Sequence, residues 1–304
     1  MTGAQSSPPD RGTLLTEQRL AASSGLDTLD VQGCVRLINE QDATVADAVR
    51  RAEPEIVAFI ELAEGGLKRG GRLVHIGAGT SGRLGVLDAA ECPPTFQTDP
   101  GLVVGVIAGG DSSLRRSSES KEDDRDGARA ELESFKIGPA DTLLGIAAGG
   151  TTPYVLGAIE LAKRLGASTG LLCCSRIERP AGADVLIAVE TGPEVVTGST
   201  RMKAGTATKL VLNTISTTLM VRTGRVYENL MVDLRATNDK LRDRAMRIVS
   251  ELTGLDRGES QALLERAGWS VKTAVLMHMR GVEAGEAERR LSEAGGRLRD
   301  AIGG

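Results

Sequence analysis

The residues between Leu73 and Thr95 have the make-up of an anion site: L-V-H-I-G-A-G-T-S-G-R-L-G-V-L-D-A-A-E-C-P-P-T. An apolar run leads into Gly77, Gly79 and Gly82, which are mixed with the hydroxyls of Thr80 and Ser81. A helix is expected from about Ser81 to Glu91, stopped by Pro93 and Pro94. A strand that feeds glycines into a helix start gathers unpaired backbone N–H groups and the positive end of a helix dipole at one point, where phosphate binds. The glycines satisfy G-x-G-x-x-G, but the dinucleotide pattern also needs an acid about 20 residues on, at the end of the next strand. Here the first acid beyond the strand at 102–108 is Asp111. A nucleotide P-loop needs Lys and then Ser or Thr after its last glycine, and Arg83 and Leu84 stand there instead. The hydroxyl pair suits a terminal phosphate monoester, which offers more oxygens to O–H donors than a diester does. A glycine turn serving only close strand-to-helix packing is the competing reading.

A second turn of the same kind, Gly149, Gly150, Thr151 and Thr152, ends another apolar run and precedes Pro153 at a helix start. In an open parallel sheet, ligands sit beyond the carboxyl ends of the strands at a switch in strand order, so both turns are expected to face one phosphate. The candidate binding residues are therefore Gly79, Thr80, Ser81, Gly150, Thr151 and Thr152, with Ser199 and Thr200 as additions. Of the two histidines, His75 lies in a strand and His278 in an apolar helix, so both are expected to be structural and no metal site is supported. No G-x-S-x-G elbow occurs and Cys92 has no base near it in sequence, which leaves proton transfer to carboxylates. Glu91 is the candidate, because it ends the helix that begins at the first turn, where the negative end of the dipole disfavours its anion. Read on residues alone, a solvated glutamate fits Glu91 better, and Glu119, Glu122, Asp123 and Asp124 form a solvated charge run. Helix separates Thr80 from Glu91 by roughly 15 Å at 1.5 Å per residue, more than a hexose phosphate spans from phosphorus to its ring carbons. Either the helix bends back early or the carboxylate serves a site completed by a second subunit.

The elements that must hold these residues alternate in type. Strands at 73–76, 102–108, 142–148, 168–174 and 184–190 are separated by helical stretches, which implies an α/β fold with a parallel sheet and helices on both faces. Ahead of them, 31–70 shows helical spacing, with Asp42 and Thr44 as caps and Pro54 opening a second helix. A helix is expected from Glu122 to Phe135, and a long core or interface helix opens from the segment Gly192 to Lys209. Beyond Gly224, Thr237 is expected to cap a helix at 238–252, followed by pieces at 258–267, 270–280 and 285–302, a small three-helix module. The first dozen residues, rich in Ser and Pro, carry the composition of a disordered tail.

With 304 residues and 40% hydrophobic content the chain can bury a large core. A net charge of -4 and 2% aromatic residues exclude a basic, base-stacking nucleic-acid face. The adjacent Cys173 and Cys174, with Cys34 and Cys92, point to reduced, buried thiols. Neither a signal core at the start nor a membrane-length apolar run is present, so a cytoplasmic protein is expected.

Three strings, G-A-G-T-S-G-R-L-G-V-L-D-A-A-E-C-P-P-T (Gly77 to Thr95), E-V-V-T-G-S-T-R-M-K-A-G-T (Glu194 to Thr206) and N-L-M-V-D-L-R-A-T-N-D-K-L (Asn229 to Leu241), resemble the N-acetylmuramic acid 6-phosphate etherases. These are sugar isomerase (SIS) domain proteins related to the glucokinase regulatory protein, and the resemblance runs from about Thr16 to the end. It implies a tail at 1–15, a helical segment at 16–54, an SIS sugar-phosphate-binding domain at 55–225, and a helical region at 226–304 with a UBA-like three-helix module. It further implies a cytoplasmic, cofactor-free homodimer with sites near the subunit interface. The implied reaction removes D-lactate from N-acetylmuramic acid 6-phosphate in cell-wall recycling, leaving N-acetylglucosamine 6-phosphate. In the open-chain sugar a base removes the C2 proton, an acid protonates the departing ether oxygen at C3, and water adds to the unsaturated aldehyde; two carboxylates with separated pKa values suffice. By resemblance Glu91 is the proton donor and Glu122 the second acid/base residue.

Two departures from the family pattern stand out. Lys121 precedes Glu122 in E-S-K-E-D, where the family has E-G-A-E-D, which places a cation beside the proposed base. Gly149 replaces the serine of the family's S-G-x-T-P, which removes one hydroxyl donor from the second turn. A sugar-phosphate-sensing regulator would share the turns without needing both glutamates, and a sugar-phosphate isomerase usually leans on histidine, in which this chain is poor.

Overall fold

The computed structural model describes residues 12, 14–116, 119–234 and 238–303. Three helices, α1 (Val31–Asp42), α2 (Val45–Arg51) and α3 (Glu53–Lys68), lead into β1 (Leu73–Gly77) and α4 (Gly79–Phe96). Then follow β2 (Val103–Ile107), α5 (Arg129–Ser134), β3 (Thr142–Ile146), α6 (Pro153–Arg164), β4 (Ser168–Cys173), β5 (Val185–Ala188) and α7 (Lys203–Arg222). A hairpin of β6 (Val226–Tyr227) and β7 (Leu230–Met231) precedes α8 (Asp239–Thr253), α9 (Arg257–Arg266), α10 (Val271–Arg280), α11 (Ala284–Glu293) and α12 (Leu298–Gly303). Packing divides the chain into two units, one of 1–90 and 102–215, the other of 91–101 and 216–304.

The first unit is the expected α/β fold. Its five strands run parallel in the order β2-β1-β3-β4-β5. Alternate side chains send Val74, Ile76, Leu143 and Leu171 to one face, where they meet Leu132 of α5 and Val155 and Ile159 of α6. On the other face the Phe59 ring of α3 packs directly on Gly170, and Gly85 of α4 sits against His75 and Ile146. Helices therefore cover both faces. At the amino-terminal edge of the sheet Asp141 joins the starts of β1 and β3, accepting from Arg72 N (2.9 Å), Arg72 Nε (3.0 Å), Arg72 Nη2 (2.8 Å) and Gly138 N (2.9 Å). Burial alone would raise the Asp141 pKa, but these donors outweigh it and hold the carboxyl below its ordinary value. The fully buried Glu194 caps α7, accepting from Lys203 N at 3.0 Å and Ala204 N at 2.9 Å.

Several boundaries differ from expectation for identifiable reasons. Pro93 and Pro94 do not stop α4, which continues to Phe96. They forfeit two helix bonds, yet Gln97 N–H closes the last turn on Pro93 O at 3.0 Å, and Arg225 Nη1 caps the end through Phe96 O (3.0 Å) and Gln97 O (3.3 Å). The helix expected from Glu122 begins only at Arg129. The preceding residues are held elsewhere: Glu122 O accepts from Tyr154 N at 3.0 Å, and Asp124 Oδ1 takes Asp126 N at 3.1 Å in a local turn. Asp42 ends α1 rather than capping a helix; Asp30 is the cap, accepting from Gly33 N at 2.7 Å. Thr44 stands at the N-cap of α2 as expected, but its hydroxyl makes no cap bond and donates back to Gln41 O at 2.7 Å. Residues 1–11 and 13 of the expected tail lie outside the described residues, whereas Leu15 opens a 3-10 turn at Leu15–Glu17.

In the second unit, Thr237 lies outside the described residues and Asn238 caps α8, accepting from Leu241 N at 2.9 Å. The piece expected at 285–302 is split into α11 and α12 because Gly295 and Gly296 take φ of 61° and 77°. Its core gathers Val232, Val249, Leu264, Val275, Leu276, Leu291 and Leu298. Asp233 pairs there with Lys272 at 2.8 Å and Arg225 at 3.2 Å.

Two stability measurements test this framework. Asp141→Ala strands the Arg72 guanidinium and two backbone donors, and is expected to cost about 2–4 kcal/mol in denaturant unfolding. Because the folded pKa is depressed, the wild-type advantage is full above the ordinary value of 3.8 and is lost as pH falls through the lower folded value. An unchanged wild-type-to-variant gap down to pH 2 would contradict the assignment. Glu194→Ala leaves two buried N–H groups without their acceptor and is expected to lower stability by about 1–3 kcal/mol, read as a drop in melting temperature.

Candidate active site

Strands β1 and β3 are neighbours, yet α4 leaves β1 toward one face of the sheet and α6 leaves β3 toward the other. This is the switch in strand order that opens a crevice at the carboxyl ends. A cleft of about 240 Å³ lies there. Its floor is Ile146 to Gly149; one wall is Gly79, Thr80 and Ser81, the other Thr151 and Thr152. The two hydroxyl turns thus share one cavity.

The competing packing role is also present in the first turn. A side chain on Gly82 would put Cβ 2.6 Å from Gly77 O, so helix and strand touch backbone to backbone. Gly79, with φ 53°, begins α4 on the cleft side. A Cβ on Gly79 would stand 3.2 Å from Glu122 Oε1, so the half-buried Glu122 carboxylate overlooks the start of α4 and lines the cleft. Thr200 completes this side. The first turn of α7 lies beside Thr80, whose Cγ2 is 3.6 Å from the place of a Cβ on Gly205.

Three expected residues are not in the cleft lining. Gly150 is buried and its N–H donates to Ala147 O at 2.8 Å, which shapes the turn rather than offering a donor. Ser199 N–H closes a turn on Val196 O at 2.9 Å, and its neighbour Thr200 lines the cleft instead. Glu91 is exposed, and because α4 runs on to Phe96 it is not the last residue of the helix. The early bend that would return it to its own phosphate turn is not found, since α4 is unbroken from Gly79.

Sequence reasoning missed two lining residues, Leu14 and Glu17, which come from the stretch ahead of the first helix. That stretch has no periodicity by which to find them. Several titratable groups outside the cleft have structural partners. His75 Nε2 lies 3.1 Å from Asp88 Oδ2 of α4, both buried, and His278 is exposed near the end of α10. Burial pushes the Cys173 thiol up to about 11 and raises Cys174 as well, as befits unreactive core thiols. Burial lowers the Lys203 ammonium against the opposing effect of Glu194 and Asp42, and its Nζ donates to Gln41 Oε1 at 3.1 Å. A larger cleft of about 1010 Å³ belongs to the second unit and includes Thr98, Arg225, Asp233 and Trp269; it has no hydroxyl-rich glycine turn. Among the described residues no helix is long and apolar enough to cross a membrane.

Comparison with known proteins agrees with this architecture. Residues 55–163 match the family described as the glucokinase regulatory protein N-terminal SIS domain, and residues 228–283 match the C-terminal lid domain of glucokinase regulatory protein. The chain is 53% identical over 294 residues to an N-acetylmuramic acid 6-phosphate etherase of Synechococcus elongatus, covering 96% of each protein. It is 47% identical over 293 residues to the etherase of Serratia proteamaculans, with 96% of this chain and 98% of the relative covered. With the etherase of Cutibacterium acnes the identity is 49% over 288 residues, covering 94% and 95%. Similarity of this extent, spanning the SIS unit and the helical unit alike, makes the chain a member of the N-acetylmuramic acid 6-phosphate etherase family.

Proposed function

We propose that this chain is a carbon–oxygen lyase that cleaves the lactyl ether of N-acetylmuramic acid 6-phosphate, releasing D-lactate and N-acetylglucosamine 6-phosphate in the cytoplasm. The observation that carries the mechanism is the Glu122 carboxylate overlooking Gly79, in the same cleft as both hydroxyl turns. Thr80, Ser81, Thr151 and Thr152, with Thr200, hold the terminal phosphate, aided by the N-terminal N–H groups of α4. Glu122 takes the C2 proton of the open-chain sugar as the C3–oxygen bond breaks. An acid delivers a proton to the departing lactyl oxygen, and water then adds at C3 of the unsaturated aldehyde. A regulator that only senses a sugar phosphate needs no proton-transfer group at this position.

Glu91 is the proton donor of this reading, supplied by a second copy of the chain. Thr80, Leu84, Leu87 and Glu91 recur every three or four residues along α4, and Leu87 is 43% exposed. If two α4 helices pair antiparallel about a two-fold axis between Leu84 and Leu87, each Glu91 meets the Thr80 end of the other. Next to Thr80 a groove of about 320 Å³ is lined by Leu84, Gly205 and Leu210 with the cations Arg201 and Lys209, and among the described residues no carboxylate lines it. Its charge complements an incoming glutamate.

Lactate release is the direct test. Wild-type protein is expected to liberate D-lactate from the muramic sugar phosphate, and Glu122→Gln or Glu91→Gln to lose about 10²–10⁴ in kcat. Wild-type protein that binds the sugar yet frees no lactate would favour the regulator. Thr80→Val and Thr151→Val are each expected to weaken inorganic phosphate roughly tenfold by calorimetry, one hydrogen bond's worth, with Ser199→Ala within about twofold of wild type. Mixing Glu91→Gln subunits with Thr80→Val/Thr151→Val subunits should restore about a quarter of wild-type activity if the sites are shared; no recovery would argue against sharing between subunits.

A further inference from the structure

The cleft contains a second carboxylate from the same chain. Glu17 ends the 3-10 turn Leu15–Glu17, and both it and Leu14 line the same cavity as the glycine turns. This short strap is anchored at its middle residue and runs past two glycines. Thr16 between them is fully buried, and its hydroxyl accepts from Ser175 Oγ at 3.4 Å. Leu14 Cδ1 is 3.4 Å from the place of a Cβ on Gly149, in the second turn. Glu17 Oε2 is 3.3 Å from the place of a Cβ on Gly198, two residues before Thr200.

The chemistry of the lining is uneven. Thr80, Ser81, Thr151, Thr152 and Thr200 offer hydroxyl donors, which suit phosphate oxygens. Ionised Glu17 and Glu122 only accept, and both repel a phosphate. Sugar hydroxyls are donors in search of acceptors, and a charged acceptor binds them about twice as strongly as a neutral one. A sugar phosphate placed with its phosphate at the donor turns must therefore turn its hydroxylated carbons toward the carboxylates. We infer that Glu17 is a substrate-contacting residue whose carboxylate accepts hydrogen bonds from sugar hydroxyls and so sets the carbon chain in register with Glu122. The identity of the sugar rests on the etherase reading; the acceptor role does not depend on ether cleavage.

Calorimetry with N-acetylglucosamine 6-phosphate and, separately, inorganic phosphate tests this on wild-type protein, Glu17→Gln and Glu17→Ala. Because Glu17 is exposed, both variants are expected to keep the wild-type melting temperature. Glu17→Ala should weaken the sugar phosphate by roughly tenfold or more and leave inorganic phosphate within about twofold, with Glu17→Gln in between because its amide keeps one acceptor. In turnover the loss should appear in KM more than in kcat. Unchanged sugar-phosphate affinity in Glu17→Ala would overturn the inference, as would equal weakening of sugar phosphate and inorganic phosphate, which would make the strap merely a wall of the phosphate pocket. Wild-type protein without lactate release but with Glu17-dependent sugar binding would sink the etherase reading and leave this one standing.

Discussion

Adjacent parallel strands whose following helices depart to opposite faces cannot close over their own carboxyl ends, and the rest of this protein follows from that constraint. β1 and β3 are the two strands so placed. The gap between them receives two helix starts at one point; the first-turn N–H groups of α6 are taken by Glu122 O and Thr152 O, so the N-terminus of α4 is the one that can offer donors there. Close backbone contact at Gly77 and Gly82 draws α4 tightly onto β1 and aims its first turn into the gap. The Asp141 and Arg72 bonds clamp the same two strands at their other ends, so the crevice stands on a braced pair.

Donors and acceptors line the same cleft: the hydroxyls belong to the two glycine turns and Thr200, and the carboxylates come from short segments outside the regular strands and α-helices. Glu122 arrives on a turn whose backbone carbonyl is tied to the first turn of α6, and Glu17 on a strap pinned by buried Thr16.

Several polar side chains outside the cleft serve the architecture. Glu194 caps α7, Asp141 braces the sheet, Arg225 finishes α4 past its two prolines, and the buried His75 faces Asp88 of the same helix. Glu194 and Asp141 satisfy backbone N–H groups that burial would otherwise strand.

Periodicity and composition by themselves determined the alternating strands and helices, the two hydroxyl-rich glycine turns and their common destination, because these depend on local preferences and on a general property of parallel sheets. The family resemblance, carried by three strings, singled out Glu122, which as an isolated residue looks like part of a solvated charge run. Only the tertiary structure decided where the loops fold back. The helix expected at Glu122 yielded to bonds with α6, the stop expected at Pro93 yielded to capping by Arg225, and Glu17 reached the cleft from far away in sequence. Such placements depend on contacts between distant segments, whose energies leave no periodic trace in the segments themselves.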